Sequence, residues 1–412
     1  MRREPTLAVV LAGFAAFLGL YSTQPLLPLL ARAFDASAFG VGLTITAPTV
    51  VIACCAPFVG RLADSVGLRR VIVGSAFALS VVTALAATSR TLSELVLWRL
   101  AQGVMTPGIF AGTIAYIHEQ WPAERAGRAT AAYMSGTILG GFAGRATAGI
   151  VAADVNWHVA FIVLAAVSLI VAAALLMLLP PERRPDHHDL LAQGHSRFLE
   201  HLRNAQLLAT YAIGFCVLFT QVAMFTYVTF YLAAPPFRLT TGALGSLFVV
   251  YLVGAAVTPL GGRWIDRHGH RSGLALAMGV GGAGALFTLA AWLPAIVTGL
   301  ALCSTGVFIA QASTSSYIGA VTTRDRALAV GLYSTFYYAG GSIGAVAPAA
   351  LWTIGGWAAC VWLVVAVQVA AVVIALSFWK PPIANAELLR TAARAAGAAR
   401  RPPSPPPPGD VA

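Results

Sequence analysis

Apolar runs of about 18 residues or more recur along almost the whole chain, and this repetition constrains its fold more than any other feature. About 20 apolar residues in a helix cross a hydrocarbon core about 30 Å thick. The 412-residue chain is 58% hydrophobic and only 10% charged, whereas soluble domains carry charge on roughly a quarter of their residues. The sequence therefore predicts an all-α membrane protein.

The apolar runs divide into twelve transmembrane helices. We place them near 6–30, 40–62, 71–88, 92–117, 128–152, 159–179, 207–232, 242–264, 273–292, 295–319, 328–352 and 357–379. Arg2 and Arg3 precede the first run in the manner of a signal peptide, but no convincing small-residue cleavage site follows. We therefore expect an uncleaved first span, and an even number of spans places both termini on the same side.

The distribution of basic residues among the loops predicts which side that is. Outside the spans, only Arg32, Arg90 and Arg238 lie in one set of loops, and the remaining Lys and Arg residues lie in the alternate set and at the ends. Basic residues concentrate in cytoplasmic loops. We expect a multi-pass protein of the bacterial inner membrane with both termini in the cytoplasm.

A charged turn occurs twice, half a chain apart. It reads GRLADSVGLRR at 60–70 and GRWIDRHGHRS at 262–272. A second set of residues repeats at nearly the same offset: Tyr133, Gly140, Gly141, Gly144 and Trp157 align with Tyr333, Gly340, Gly341, Gly344 and Trp357. Such repeats indicate duplication of a multi-helix half, as in many transporters. We predict six-helix halves at 1–180 and 206–380, a central cytoplasmic loop at 181–205 and a disordered cytoplasmic tail at 381–412.

These motifs resemble those of a known family. The pattern G-x-x-x-D-x-x-G-x-R in both halves of a twelve-span chain resembles the signature of the major facilitator superfamily. Arg99, Gln102 and Gly103 in the fourth span resemble its R-x-x-Q-G motif, and the glycines of the fifth span resemble the motif of drug/proton antiporters. The chain as a whole is similar to YnfM-like and arabinose-efflux-like permeases. The resemblance implies the two-half major facilitator fold.

The resemblance also implies a conformational latch in the repeated turns. Asp64 would bind the start of the eleventh span near Ala327, and Asp266 would bind the start of the fifth near Arg128. A carboxylate suits a helix N-terminus because unpaired amides and the helix dipole attract negative charge there. The alternative is that the turns only anchor the topology. The candidate latch residues are Gly60, Asp64, Gly67, Arg69, Arg70, Gly262, Asp266, Gly269 and Arg271.

Glycines at helical spacing form a second candidate feature. Small residues at such spacing allow two membrane helices to approach closely. They predict either a static packing seam or a seam along which the halves rock. The residues concerned are Gly136, Gly140, Gly141, Gly144, Gly340, Gly341 and Gly344.

Two arginines lie inside predicted spans, where charges are costly and usually face a bundle interior or a cavity. Arg99 shares one helical face with Gln102 and Thr106. Counted from Glu94 and Asp154, Arg99 and Arg145 lie about 8–13 Å deep at 1.5 Å per residue. They are candidates for proton coupling or for a substrate cavity, and the alternative is that they bind backbone carbonyls. Further cavity candidates are Tyr21, Gln24, Gln221, Tyr227, Tyr251, Gln311 and Tyr337.

The leading functional hypothesis is a secondary transporter that exports a small organic compound by alternating access, driven by proton entry. No Asp or Glu occupies the middle of a predicted span, and Asp35 is the nearest candidate proton carrier. The runner-up is uptake or facilitated exchange of an anionic metabolite, because an unpaired arginine binds a carboxylate well. A receptor or scaffold without transport activity is a third possibility.

Other classes of protein are disfavoured. The chain has no G-x-x-x-x-G-K-[ST] loop for an ATP-driven pump and no metal or nucleophile constellation for an enzyme. The net charge of +11 reflects arginines spread over short loops, so we expect no binding to nucleic acid. We expect a small-molecule substrate, a lipid bilayer, a monomeric state, and no cofactor apart from a proton as coupling ion.

Overall fold

The computed structural model describes residues 6–55, 59–181, 203–322 and 326–380. Most of the predicted central loop and all of the predicted tail therefore lie outside the described residues. The described part is almost entirely helical. Its α-helices are α1 Thr6–Leu18, α2 Leu27–Ala33, α3 Ala38–Cys55, α4 Val59–Val66, α5 Leu68–Ala86, α6 Leu92–Gln120, α7 Ala123–Asp154, α8 Trp157–Leu178, α9 Ala205–Ala233, α10 Thr241–Ser246, α11 Val250–His268, α12 His270–Phe287, α13 Leu293–Val321, α14 Arg326–Val346 and α15 Pro348–Phe378.

These helices occupy the positions of the twelve predicted spans. In the described part of the chain, eight segments are long and apolar enough to cross a membrane: Ala38–Cys55, Leu68–Ala86, Leu92–Gln120, Trp157–Leu178, Ala205–Ala233, Thr241–His268, Leu293–Val321 and Pro348–Phe378. The first predicted span falls short because it is interrupted. The helices α7, α12 and α14 are diluted by glycine and polar residues. The all-α fold predicted from the sequence is confirmed.

We call the side of the molecule that carries the repeated turns the turn face, and the opposite side the far face. Two spans are broken toward the far face. The first span leaves α-helical geometry after Leu18, passes through a 3₁₀ turn at Gln24–Leu26 and resumes as α2. Pro25 and Pro28 lack the amide hydrogen that a continuous helix needs. The eighth span is interrupted by a 3₁₀ turn at Leu247–Val249.

The eleventh span is interrupted near Ala347, and it meets the twelfth span at Gly356. Helix α14 ends at Val346 rather than near 352, because Pro348 begins a new helix. Helix α15 then bends at Gly356, whose φ of 58° is open to glycine far more readily than to other residues. The predicted start of the twelfth span at 357 therefore lies directly after this non-helical residue, which separates the two helical stretches of α15.

The glycine rows lie between helices of the same half. On α7, Gly136, Gly140 and Gly144 are so close to the backbone of α1 that a Cβ atom would overlap its carbonyl oxygens. On α14, Gly340 and Gly344 approach the backbone of α9 in the same manner. The seams thus bind the first span to the fifth and the seventh to the eleventh, an arrangement that suits packing within each half.

Other helices join the two halves. Helix α3 packs along α14, where Thr46 donates a hydrogen bond to the carbonyl of Ser342 and Thr335 donates one to the carbonyl of Ala53. At the far face, Gly149 of α7 lies against Gly245 of α10 so closely that neither position has room for a Cβ atom. The site described next lies on the inner side of this contact.

Candidate substrate site

Arg145 on α7 is the centre of the candidate site, and only 4% of its surface is exposed. Its Nε donates to Oε1 of Gln24 at 2.7 Å, and its Nη1 donates to the carbonyl of Gly141 at 2.6 Å. The guanidinium also lies over three aromatic rings, with its carbon 4.8–5.1 Å from the centroids of Phe248, Tyr21 and Tyr251. Hydrogen bonds and cation–π contacts replace the water that a buried arginine loses.

The two broken spans supply these partners. Tyr21 and Gln24 belong to the interrupted stretch of the first span, and Phe248 lies in the 3₁₀ turn of the eighth. Irregular backbone at membrane depth is tolerated where protein buries it, and discontinuous helices form the substrate sites of many transporters. The first and eighth spans are therefore both interrupted beside the same buried cation, Arg145.

The site draws on both halves of the molecule. Besides the rings of the eighth span, Thr226 of the seventh accepts a hydrogen bond at 3.3 Å from Nε2 of Gln24. The hydroxyl of Tyr337 on α14 lies close enough to those of Tyr21 and Tyr251 to interact electrostatically, and Gln221 lies beside Tyr251. The structure thus brings together six of the predicted cavity residues: Tyr21, Gln24, Arg145, Gln221, Tyr251 and Tyr337.

Arg145 retains unused hydrogen-bonding capacity. Its Nη2 makes no hydrogen bond with the described part of the chain. Its charge also lacks a buried counter-ion there, since every carboxylate whose side chain the structure describes is exposed: Asp35, Glu94, Glu119, Asp154 and Asp266. A buried guanidinium with free donors and no carboxylate is suited to bind an anion.

The other intramembrane arginine lies elsewhere and is already bonded. Arg99 is completely buried within the first half, where Nε donates to the carbonyl of Thr44 and Nη1 to that of Gly19, both at 2.8 Å. Nη2 donates to the carbonyl of Leu20, and Nη1 also to the side chain of Gln102. This arginine satisfies the carbonyls left free by the break in the first span.

The remaining cavity candidates lie outside the cluster around Arg145. The hydroxyl of Tyr227 donates to the carbonyl of Ala345 at 3.2 Å, and its ring packs near Trp352. Gln102 donates to Oγ1 of Thr83 on α5 at 2.9 Å. Gln311 on α13 is partly buried. None of these contacts joins the residue to the cluster.

Comparison with known proteins identifies the family. The family model of the Major Facilitator Superfamily matches residues 9–250 and 234–405. This chain belongs to the Major Facilitator Superfamily. It is 30% identical to the MFS-type transporter YybF of Bacillus subtilis (strain 168), over 88% of both chains. It is 28% identical to the inner membrane transport protein YnfM of Escherichia coli (strain K12), over 85% of both chains.

A solved structure shows the same fold. A bacterial homologue of the human lysosomal transporter Spinster, in an inward-facing and unoccupied conformation, superposes with a TM-score of 0.71. The match covers 92% of this chain and 98% of the other, at 15% sequence identity. Fold and relatives together make the chain a multi-pass secondary transporter of the Major Facilitator Superfamily, and not an enzyme.

The two family turns have the same backbone form. Gly67 has a φ of 94° and Gly269 a φ of 83°, and each glycine separates one helix from the next. In both turns the glycine amide donates to the carbonyl four residues earlier. This left-handed geometry explains why glycine recurs at these two positions.

The turn arginines bind the ends of helices in their own halves. Arg69 donates to the carbonyls of Leu179 and Leu176 at 2.7 Å, at the end of α8. Arg271 donates to the carbonyl of Leu376 near the end of α15. A cation at a helix C-terminus satisfies free carbonyls and opposes the dipole. The sequence suggested latch residues, and the structure places these two as caps.

The proposed carboxylate latches stay predictions. The side chains of Asp64 and Ala327 lie outside the described residues. Asp266 is exposed on the turn face and interacts electrostatically with His270. Burial lowers the pKa of His270 below its usual value, and the charge of Asp266 partly opposes that effect.

Sequence reasoning missed Phe248 and Thr226. Both sit in apolar runs, where neither stands out from ordinary buried residues. The only available signal for Phe248 was its position three residues before Tyr251, which places both on one helical face. Thr226 carried no distinguishing signal.

Proposed function

We propose that this chain is a transporter of the bacterial inner membrane that exchanges or takes up a small organic anion, and that Arg145 binds the substrate carboxylate. The observation that carries the proposal is the environment of Arg145. It is a buried cation between the halves, with a free Nη2 and no buried carboxylate among the described residues. Arginine binds carboxylates through parallel N–H donors, which adds geometric specificity to charge attraction.

The position of the site suits alternating access. Tyr21 and Gln24 contact Arg145 from the first half, whereas Phe248 and Tyr251 contact it from the second. Rocking of one half against the other would therefore change the surroundings of the guanidinium. A ligand bound to Arg145 would therefore contact both of the halves that move.

A cavity at the far face supports entry of an anion. It measures about 250 Å³ and lies between the ends of α2, α7, α9 and α10, with the exposed Arg32 in its wall. Along α7, the contact of Gly149 with Gly245 lies between Arg145 and the lining residues Ala152 and Ala153. Opening of the contact between Gly149 and Gly245 would connect the cavity beside Arg32 to Arg145.

Proton-coupled export of an organic compound is the second candidate. The fourth-span and fifth-span motifs favour it, because they resemble those of drug/proton antiporters. It requires a group that takes up and releases a proton, and the carboxylates with described side chains are all exposed. Dependence of transport on an imposed proton gradient would support this candidate over anion exchange.

Ligand binding to purified protein tests the anion site. A small carboxylate should raise the unfolding temperature of the wild type, whereas the matching amide should not. Saturation at 100 times Kd adds about 2.7 kcal/mol to the free energy of unfolding. Arg145→Gln should weaken carboxylate binding roughly tenfold or more, since a hydrogen bond to a charged group contributes about 1.5–3 kcal/mol.

Arg90→Gln provides the matched control, because Arg90 is an exposed arginine outside the spans. It should bind the carboxylate as the wild type does. Equal stabilisation by carboxylate and amide, or full binding by Arg145→Gln, would contradict the proposal.

A further inference from the structure

Two tyrosine hydroxyls beside Arg145 lack a hydrogen bond of good geometry in the described part of the chain. Tyr21 and Tyr251 are 6% and 5% exposed, and neither hydroxyl oxygen forms a hydrogen bond within the described part of the chain. Gln221 lies next to the hydroxyl of Tyr251 without forming a bond of good geometry. Buried polar groups nearly always have a hydrogen-bond partner, so two such hydroxyls beside a guanidinium with a free donor are suited to bind a ligand.

Tyr21 and Tyr251 lie against the same guanidinium although they come from different halves. The guanidinium carbon of Arg145 lies 4.9 Å from the ring centroid of Tyr21 and 5.1 Å from that of Tyr251. A single small molecule bound to Arg145 is therefore within reach of both hydroxyls.

Further aromatic side chains lie close to Arg145 and Tyr251. Phe248 lies 4.8 Å from the guanidinium carbon, and Tyr251 packs edge to face with both Phe225 and Phe248. Aromatic rings favour offset or edge-to-face contact with another ring, beyond the effect of buried area alone. Aromatic side chains arranged in this way should bind a planar ring in preference to an aliphatic group of similar size.

We propose that the substrate is an aromatic carboxylate bearing a second oxygen, such as a ring hydroxyl or carbonyl. Its carboxylate binds the free donors of Arg145, its ring packs against the aromatic side chains, and its second oxygen accepts a hydrogen bond from Tyr21 or Tyr251. This inference rests on the proposed function and specifies its substrate class. Free donors, unpartnered hydroxyls and aromatic side chains each match one part of that ligand.

Affinities of the purified transporter for a matched ligand panel test the inference. The panel contains benzoate, the three hydroxybenzoate isomers, cyclohexanecarboxylate and 4-hydroxybenzamide. We expect the tightest hydroxybenzoate to bind about tenfold more tightly than benzoate, which is the effect of one hydrogen bond to a buried group. Benzoate should bind more tightly than cyclohexanecarboxylate, and the amide should bind weakest.

Removal of single hydroxyls locates the recognition of the second oxygen. Tyr21→Phe or Tyr251→Phe should reduce the preference for hydroxybenzoate over benzoate to about twofold or less, measured as the ratio of the two affinities in the same variant. Tyr211→Phe is the matched control, because Tyr211 also has a buried, unpartnered hydroxyl. It lies fifteen residues before Thr226 on α9, about 22 Å away at 1.5 Å per residue.

Three contrary outcomes are distinguishable. Arg145-dependent binding of cyclohexanecarboxylate that equals benzoate, with no effect of a ring hydroxyl, would overturn this inference and leave the anion site intact. A preference for hydroxybenzoate that survives both Tyr→Phe variants would overturn it also. Absence of Arg145-dependent binding for every carboxylate would overturn the proposed function itself.

Discussion

The two buried arginines use their hydrogen-bond donors in different ways. Arg99 donates to three backbone carbonyls and to Gln102, all within the first half. Arg145 donates to Gln24 and Gly141 and keeps Nη2 free. A side chain with satisfied donors contributes to structure, and one with free donors can bind a ligand. Burial alone therefore does not decide the role of an arginine in a membrane.

Replacement of Arg99 by lysine tests its structural role. Lysine keeps the charge but cannot donate to several carbonyls in the planar geometry of a guanidinium. We expect Arg99→Lys to lower the free energy of unfolding by about 2–4 kcal/mol, since it leaves buried carbonyls unsatisfied. The folded fraction should bind carboxylates with unchanged affinity. A stable Arg99→Lys protein with altered pH dependence of transport would instead assign Arg99 to proton coupling.

At the scale of the element, the turn arginines close each half. Arg69 and Arg271 occupy equivalent positions of the repeated turn and bind the ends of α8 and α15. Two tyrosines reinforce the same corners: the hydroxyl of Tyr116 donates to the carbonyl of Pro180, and that of Tyr317 donates to the carbonyl of Lys380. The repeated turn thus ties the last helix of each half to its second and third helices.

Alanine substitution separates this capping role from a latch. Arg69→Ala and Arg271→Ala should each lower the free energy of unfolding by about 1 kcal/mol, because helix carbonyls lose a cationic partner. Arg70→Ala is the neighbouring control: Arg70 is exposed and makes one bond of 3.5 Å, so the change should stay within about 0.5 kcal/mol. Thermal unfolding measures these effects. Lost transport at unchanged stability would favour the latch.

Much of the fold was predictable from the sequence because apolar length and loop punctuation determine where helices span a bilayer. The positions of Arg99 and Arg145 inside spans also identified them as unusual residues. Their separation into different surroundings was not predictable. It depends on the break at Gly19, which supplies carbonyls to Arg99, and on the break at Phe248, which brings rings to Arg145. The first break is marked in the sequence by STQP at 22–25, whereas the break at Phe248 leaves the apolar pattern of the eighth span unaltered.

At the scale of the molecule, the site lies where the halves meet and where two broken spans face each other. The far face is closed by the contact of Gly149 with Gly245, and α3 packs along α14 beside it. An anion bound to the free donors of Arg145 would contact side chains of both halves. Its binding would favour the arrangement of the halves that contacts it better.

Exchange of a labelled carboxylate across proteoliposomes, with the proton gradient collapsed, tests the central claim that Arg145 binds the transported anion. The account predicts exchange by the wild type and by Arg90→Gln. In Arg145→Gln, the exchange rate at sub-saturating substrate should fall tenfold or more. This loss corresponds to about 1.4 kcal/mol or more of binding free energy. Exchange by Arg145→Gln at the wild-type rate would contradict the account, and so would wild-type exchange that requires an imposed proton gradient.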